Sequence, residues 1–187
     1  CKEGRKKDGG MILLGFATLM FGMDTMSSAV SGLADIPAFR QLFLMFTNPL
    51  LGVLAGAALT AVIQSSSASV GILQAFAVTG QISYGAAIPI IMGQNIGTCI
   101  TAVLSSIGAT KNARRAAFVH LAFNAIGSAI LLGDFVLAKT LFAPALLNNA
   151  ASGFGIAVSH TVFNLMCVLI LMPMAPLLEK MAMKAIR

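Results

Sequence analysis

The sequence predicts an all-α, polytopic membrane protein, and three observations carry that prediction. The 187 residues are 58% hydrophobic, with a mean hydropathy of +0.91 and only 10% charged, far more apolar than a soluble domain. The apolar residues gather into runs that repeatedly reach about twenty residues, the length a helix needs to cross a bilayer. The 12 Lys and Arg residues, which leave a net charge of +6, lie in short flanks between those runs. They form no interleaved aromatic and basic face, so they read as topology signals and no nucleic-acid partner is expected.

The elements follow in order. Residues 1–9, with Lys2, Arg5, Lys6 and Lys7, form a charged cytoplasmic leader or linker without an initiator Met or signal peptide, as in a piece of a longer chain. Residues 10–33 read as a first membrane helix, apolar through Met23 and then more polar at Asp24, Thr25, Ser27 and Ser28. In residues 35–47, Phe39, Leu42, Phe43 and Phe46 recur at helical spacing beside Arg40 and Gln41, which suits a short amphipathic helix in the membrane interface. Residues 49–82 are too long for one simple span of about twenty residues and are interrupted near their centre by Gln64-Ser65-Ser66-Ser67. Two half-helices are expected there. Residues 84–107 are apolar but interrupted at Gly93-Gln94-Asn95-Ile96-Gly97-Thr98, where glycines and short polar side chains favour a break, hence a discontinuous helix. Residues 116–132 and 156–172 are ordinary spans, and residues 177–187 form a cytoplasmic tail. The transmembrane unit as a whole covers residues 10–176.

Charge sets the topology. Basic clusters at Lys2/Arg5/Lys6/Lys7, Lys111/Arg114/Arg115 and Lys180/Lys184/Arg187 belong on one cytoplasmic side, since the other connections hold only Arg40 and Lys139. If residues 49–82 crossed once, the second cluster would fall outside. A re-entrant hairpin entering from the extracellular face puts all three inside, with about four full crossings and the serines near mid-depth. Cys1, Cys99 and Cys167 have no paired spacing and suggest neither a disulfide framework nor a zinc site.

The polar interruptions carry the chemistry. Clustered polar side chains at membrane depth are tolerated where they face a protein-lined or watery cavity, and there they mark a ligand path. A half-helix starting at the serines presents unpaired N–H groups and the positive end of its dipole, which suits an anion; Ser65, Ser66 and Ser67 add hydroxyl donors and Gln64 an amide. Gln94 or Asn95, with Thr98 and Thr101 nearby, offers hard oxygen ligands suited to Na+. Neither segment holds a Lys or Arg, so an anion there lacks a permanent countercharge, and a co-bound cation supplies one. The bland alternative is close packing through Gly52-x-x-x-Gly56 and serines bonded back to the preceding turn. His120-Leu121-Ala122-Phe123-Asn124 echoes His160-Thr161-Val162-Phe163-Asn164, each pair on one helix face, either as interhelical packing contacts or as ligand-facing groups. Nothing resembles a phosphate-binding P-loop Lys or a nucleophile elbow, so no covalent catalysis is expected.

Gln64-Ser65-Ser66-Ser67-Ala68, Gly93-Gln94-Asn95-Ile96-Gly97-Thr98, Ala113-Arg114-Arg115-Ala116 and His120-x-x-Phe123-Asn124, in this order, resemble the bacterial sodium/phosphate cotransporter family related to animal type II transporters. The resemblance implies one half of an inverted-repeat transporter, the second repeat, acting in the bacterial cytoplasmic membrane as a symporter of inorganic phosphate with Na+. It implies that Gln64, Ser65, Ser66, Ser67, Asn95 and Thr98 meet phosphate, and that Gln64, Ser67, Gln94, Asn95, Thr98 and Thr101 are the sodium ligands to test. The implied partners are phosphate, sodium, the lipid bilayer and a first repeat or partner subunit. Cys99 stands where many relatives carry a second Thr. A dicarboxylate or amino-acid symporter is the rival within transport, although no Arg or Asp lies in either interrupted segment; a non-transporting phosphate-sensing membrane subunit is the other.

Overall fold

In the computed structural model, which describes residues 2–31, 45–142 and 145–186, the described residues are helical apart from short connections. The helices are α1 (Lys2–Ser31), α2 (Pro49–Ile63), α3 (Ser66–Ala77), α4 (Tyr84–Ser105), α5 (Lys111–Phe142), α6 (Gly153–Leu171) and α7 (Ala175–Ala185), with short 3₁₀ turns at Ala145–Asn148 and Met172–Met174. Four helical stretches, Lys6–Met26, Tyr84–Ser105, Lys111–Phe142 and Gly153–Ala185, are long and apolar enough to cross a membrane. The chain is an all-α polytopic membrane protein. Its first helix starts at Lys2, so the basic residues Lys2, Arg5, Lys6 and Lys7 are helical and continuous with the first apolar stretch. Residues 35–44 of the expected interfacial helix lie outside the described residues.

The exposed surface fits a lipid solvent. Met11, Ile12, Leu13, Leu14, Phe16 and Phe21 of α1 are each more than 60% exposed, untenable for so contiguous an apolar face in water and ordinary against acyl chains. In lipid, apolar area gives helices little reason to associate, so packing depends on small residues that let backbones approach. The α2–α4 contact shows this directly. A Cβ on Gly56 would strike the Ile90 carbonyl, one on Gly93 the Val53 carbonyl, and one on Gly97 the Ala57 carbonyl. The two backbones touch in both directions, at the separation where Cα–H···O contacts form.

That contact overturns the expected break in residues 93–98. α4 runs unbroken from Tyr84 to Ser105, even through Pro89. Gly93 and Gly97 are there for proximity to α2 and not for flexibility, and the polar side chains bond back into the helix. Asn95 Nδ2 donates to the Ile91 carbonyl at 3.0 Å and Thr98 Oγ1 to the Gln94 carbonyl at 2.8 Å.

The register sets the direction of each half-helix. Gly52 meets Pro89 and Ile90, Gly56 meets Ile90 and Gln94, and Gly97 meets Ala57 and Thr60, so α2 runs parallel to α4. Ser69 lies beside Gln94, whereas Leu73, Ala77 and Ile82 cluster with Ala86, Ala87 and Ile90, so α3 runs back antiparallel to α4. α2 and α3 therefore form a helical hairpin. Its ends are anchored together: Lys139 Nζ donates to the Thr47 carbonyl at 3.2 Å, Ala151 N to the Ile82 carbonyl at 2.7 Å, and Gln74 Nε2 to the Gly153 carbonyl at 2.8 Å. The tip points the other way, toward the end where Arg115 Nε donates to the Ile186 carbonyl at 3.1 Å and joins α5 to α7. The second and third basic clusters thus share one end of the molecule.

Candidate functional site

The hairpin tip is built by one unusual backbone residue. Gln64 closes α2 with φ 58°, ψ 23°, and is the one non-glycine residue with positive φ among the described residues. A left-handed conformation costs an L-residue roughly 1–2 kcal/mol, yet it turns the chain within two residues. Ser65 is extended and caps α3, its Oγ accepting from Ala68 N at 3.3 Å. Below it the first N–H groups of α3, those of Ser66 and Ser67, have no acceptor within the helix. Ser66 is half-buried, and Ser67 and Gln64 are exposed.

Ser66 and Ser67 line a cavity of about 620 Å³ between α1, α3 and α6. Leu19, Gly22, Met23 and Met26 of α1 form one wall; Gln74 and His160 supply its remaining polar groups. His160 and Asn164 form a pair within α6, with Asn164 Nδ2 donating to the His160 carbonyl at 2.8 Å and lying 3.4 Å from His160 Nε2. Asn124 likewise donates to the His120 carbonyl at 3.0 Å. Both Asn side chains thus bond within their own helix, and the first echo also joins two helices, since the Cys99 thiol of α4 meets the Asn124 side chain and faces the His120 carbonyl at 3.6 Å.

The α4 residues stand apart from this cavity. Gln94 is fully buried and reaches the hairpin, its Nε2 donating to the Ser69 carbonyl at 2.9 Å. Asn95, Thr98 and Thr101 spend their donors on their own helix, Thr101 Oγ1 bonding the Thr98 carbonyl at 2.9 Å. Their oxygens keep lone pairs, but none of the three lines the tip cavity. Of the residues named from sequence, Ser66 and Ser67 come together at the cavity and Gln94 joins the hairpin behind it. Sequence reasoning missed Thr60, Ser69 and Gln74. Ser69 was visible as the next polar residue after Gln64-Ser65-Ser66-Ser67-Ala68, and Thr60 as the residue one turn before Gln64. Among the described residues no group of His, Cys, Asp and Glu is arranged to hold a metal ion.

Comparison with known proteins identifies relatives of this chain by sequence. The model of the Na+/Pi-cotransporter family matches residues 18–157. YqeW of Bacillus subtilis (strain 168), described as uncharacterized, is 36% identical over 129 residues, 69% of this chain and 41% of its own length. Human sodium-dependent phosphate transport protein 2B is 39% identical over 132 residues, 65% of this chain and 19% of its own. The putative inorganic phosphate export protein YjbB of Salmonella typhimurium is 26% identical over 189 residues, 100% of this chain and 34% of its own. The chain thus spans less than half the length of these relatives, and no solved structure matches it. With a family match over most of its residues, the chain belongs to the Na+/Pi-cotransporter family.

Proposed function

We propose that this chain forms part of a carrier that moves inorganic phosphate across a bacterial cytoplasmic membrane, coupled to Na+, with phosphate held at the start of α3. The observation that carries the reading is the tip itself: Ser66 and Ser67 stand at an open helix N-terminus and line one cavity. An anion there receives N–H and O–H donors and the positive end of the helix dipole. Gln64 and Ser65 complete the turn around it, and Gln64, Ser67, Gln94, Asn95, Thr98 and Thr101 are the oxygen-bearing residues considered for the cation. Among the described residues no Lys or Arg lines the cavity, and Na+ supplies the countercharge.

The hairpin is read as re-entrant. α2 has 15 residues and α3 has 12, about 22 and 18 Å long, too short to cross a hydrocarbon core of roughly 30 Å. A tip at that depth is compatible with its polar side chains only where protein or water covers it. We take an inverted counterpart of this repeat, on the same polypeptide or another, to supply the facing half of the site.

Two names among the relatives point in different directions, sodium-dependent transport and phosphate export. Radiolabelled phosphate flux in proteoliposomes separates them. An inward Na+ gradient is expected to drive accumulation that an equal K+ gradient does not. Efflux that ignores Na+ would favour the export reading, and specific phosphate binding with no flux in either direction the sensing one.

A further inference from the structure

We infer that His160 of α6 is a specificity-determining contact of the tip cavity: a neutral imidazole whose Nδ1–H donates to an oxygen of the anion held at the start of α3, with Asn164 fixing its tautomer. The inference rests on the phosphate reading above and extends the site from one helix to two. The first observation is register. Gln74 Nε2 donates to the Gly153 carbonyl at 2.8 Å, and from that bond both helices lead toward the tip, α3 backward along the chain and α6 forward. Ser67 lies about two turns before Gln74, and His160 about two turns after Gly153. A whole number of turns returns a residue to the same helix face. His160 therefore stands at the level of Ser67, on the face of α6 that meets α3, and the two line the same cavity.

The second observation is the bonding of the ring. Asn164 Nδ2 donates to the His160 carbonyl at 2.8 Å, which identifies that atom as the amide nitrogen, and the same nitrogen lies 3.4 Å from His160 Nε2. An amide nitrogen has only protons to offer, so Nε2 is the acceptor, and the single proton of the neutral ring sits on Nδ1. Nδ1 has no hydrogen-bond partner among the described residues. In the other echo Asn124 donates to the His120 carbonyl at 3.0 Å, and His120 lines a separate cavity with Ser105 and Ser106. Of the two histidines, only His160 shares a cavity with the serines.

The chemistry selects the ligand class. An N–H at Nδ1 attracts an oxyanion and repels a cation, and a ring held by Asn164 gives that donor a fixed direction, which a rotating serine hydroxyl lacks. Hydrogen bonds to a charged oxygen are about twice as strong as those between neutral groups. Among the described residues lining the cavity from α1, α3 and α6, His160 is the one titratable side chain; Asp24 follows Met23 on α1 but does not line it. A second proton, on Nε2, has to displace the Asn164 amide. The ring thus holds the anion without becoming an imidazolium, and phosphate can leave without waiting for a proton to depart.

The test joins equilibrium binding of radiolabelled phosphate in NaCl with nitrogen NMR of the purified full chain labelled in its histidines, His120→Asn or His160→Asn assigning the signals. At about pH 7.5, above the ordinary imidazole range, the wild-type His160 ring is expected to be neutral with its proton on Nδ1, and saturating phosphate should shift the Nδ1 signal where equal chloride does not. His160→Phe, which keeps a flat ring and loses the donor, should weaken phosphate binding about tenfold or more, whereas His160→Asn, whose amide nitrogen takes the place of Nδ1, should stay within about threefold. Asn164→Leu should release the ring to a mixture of tautomers, and an unchanged tautomer would overturn the role given to Asn164. Wild-type affinity in well-folded His160→Phe, or a loss in His160→Asn as large as in His160→Phe, would overturn the contact. A wild-type ring protonated on Nε2 or on both nitrogens, or an Nδ1 signal indifferent to bound phosphate, would overturn it without any variant at the site. Absence of phosphate binding by the wild type would sink the phosphate reading and the contact together, whereas binding untouched by His160→Phe would sink the contact alone.

Discussion

Gln64 joins backbone strain and ligand chemistry in one residue. Its left-handed backbone makes the tip, and its side chain stands beside the serines that face the cavity. Gln64→Gly should keep the turn at little cost, because glycine adopts positive φ freely, and lose only the amide. Gln64→Val should destabilise the protein by about 1–2 kcal/mol, because a β-branched residue is poorly accommodated there. Thermal unfolding of the two variants separates backbone from side chain, and equal stability would mean that the turn is not strained. The serine run was legible in sequence because four consecutive hydrogen-bonding side chains inside an apolar segment exceed what bonding back to one helix turn can absorb. Thr60 and Ser69 were not, since a single hydroxyl in an apolar helix usually bonds its own backbone, and only the fold reveals which ones fail to do so.

At the scale of elements the sequence had two meanings for one pattern. Small residues beside short polar ones interrupt residues 49–82 and recur in residues 93–98, and a break was expected in both. Only the first breaks. Gln64 and Ser65 leave helical geometry, whereas Gly93 and Gly97 stay helical and press against Val53 and Ala57 of α2. What distinguishes them is a partner about 40 residues earlier, Gly52-x-x-x-Gly56, whose small residues face α4. Matching the two glycine pairs would have predicted a contact in place of a break. Gly93→Val is therefore expected to disrupt the protein by roughly 3 kcal/mol or more, since the added atoms meet main chain that cannot step aside. Gly133→Ala in α5, where a Cβ meets nothing within 4 Å, should be neutral. Comparable stability of these two variants in detergent would contradict the close α2–α4 contact.

For the whole molecule, the charge pattern and the fold give one topology. Arg115, at the end of α5 that also carries Lys111 and Arg114, bonds the end of α7 that follows Lys180 and Lys184, and both ends of the hairpin lie at the opposite pole, tied to α5 and α6. Single cysteines at Asn48 and Ser83 are thus expected to react with an impermeant thiol reagent from the same side of the membrane, opposite to a cysteine at Lys184. Labelling of Asn48 and Ser83 from opposite sides would exclude a re-entrant hairpin. The four long apolar helices were readable in sequence because each apolar run reaches the length a span needs, but the cavity at the tip was not, because its walls come from α1 and α6, remote in sequence.

The central claim is that phosphate binds at the start of α3 together with Na+. It is tested most directly by equilibrium binding of radiolabelled phosphate to the purified full chain and to Ser66→Ala, in NaCl and in KCl. Losing one hydrogen bond to a charged ligand costs roughly 1.5–3 kcal/mol, so the expected result is binding in NaCl that weakens about ten- to a hundredfold in Ser66→Ala and is much weaker in KCl for both proteins. Equal affinity of the well-folded variant and the wild type, or binding indifferent to the cation, would contradict it.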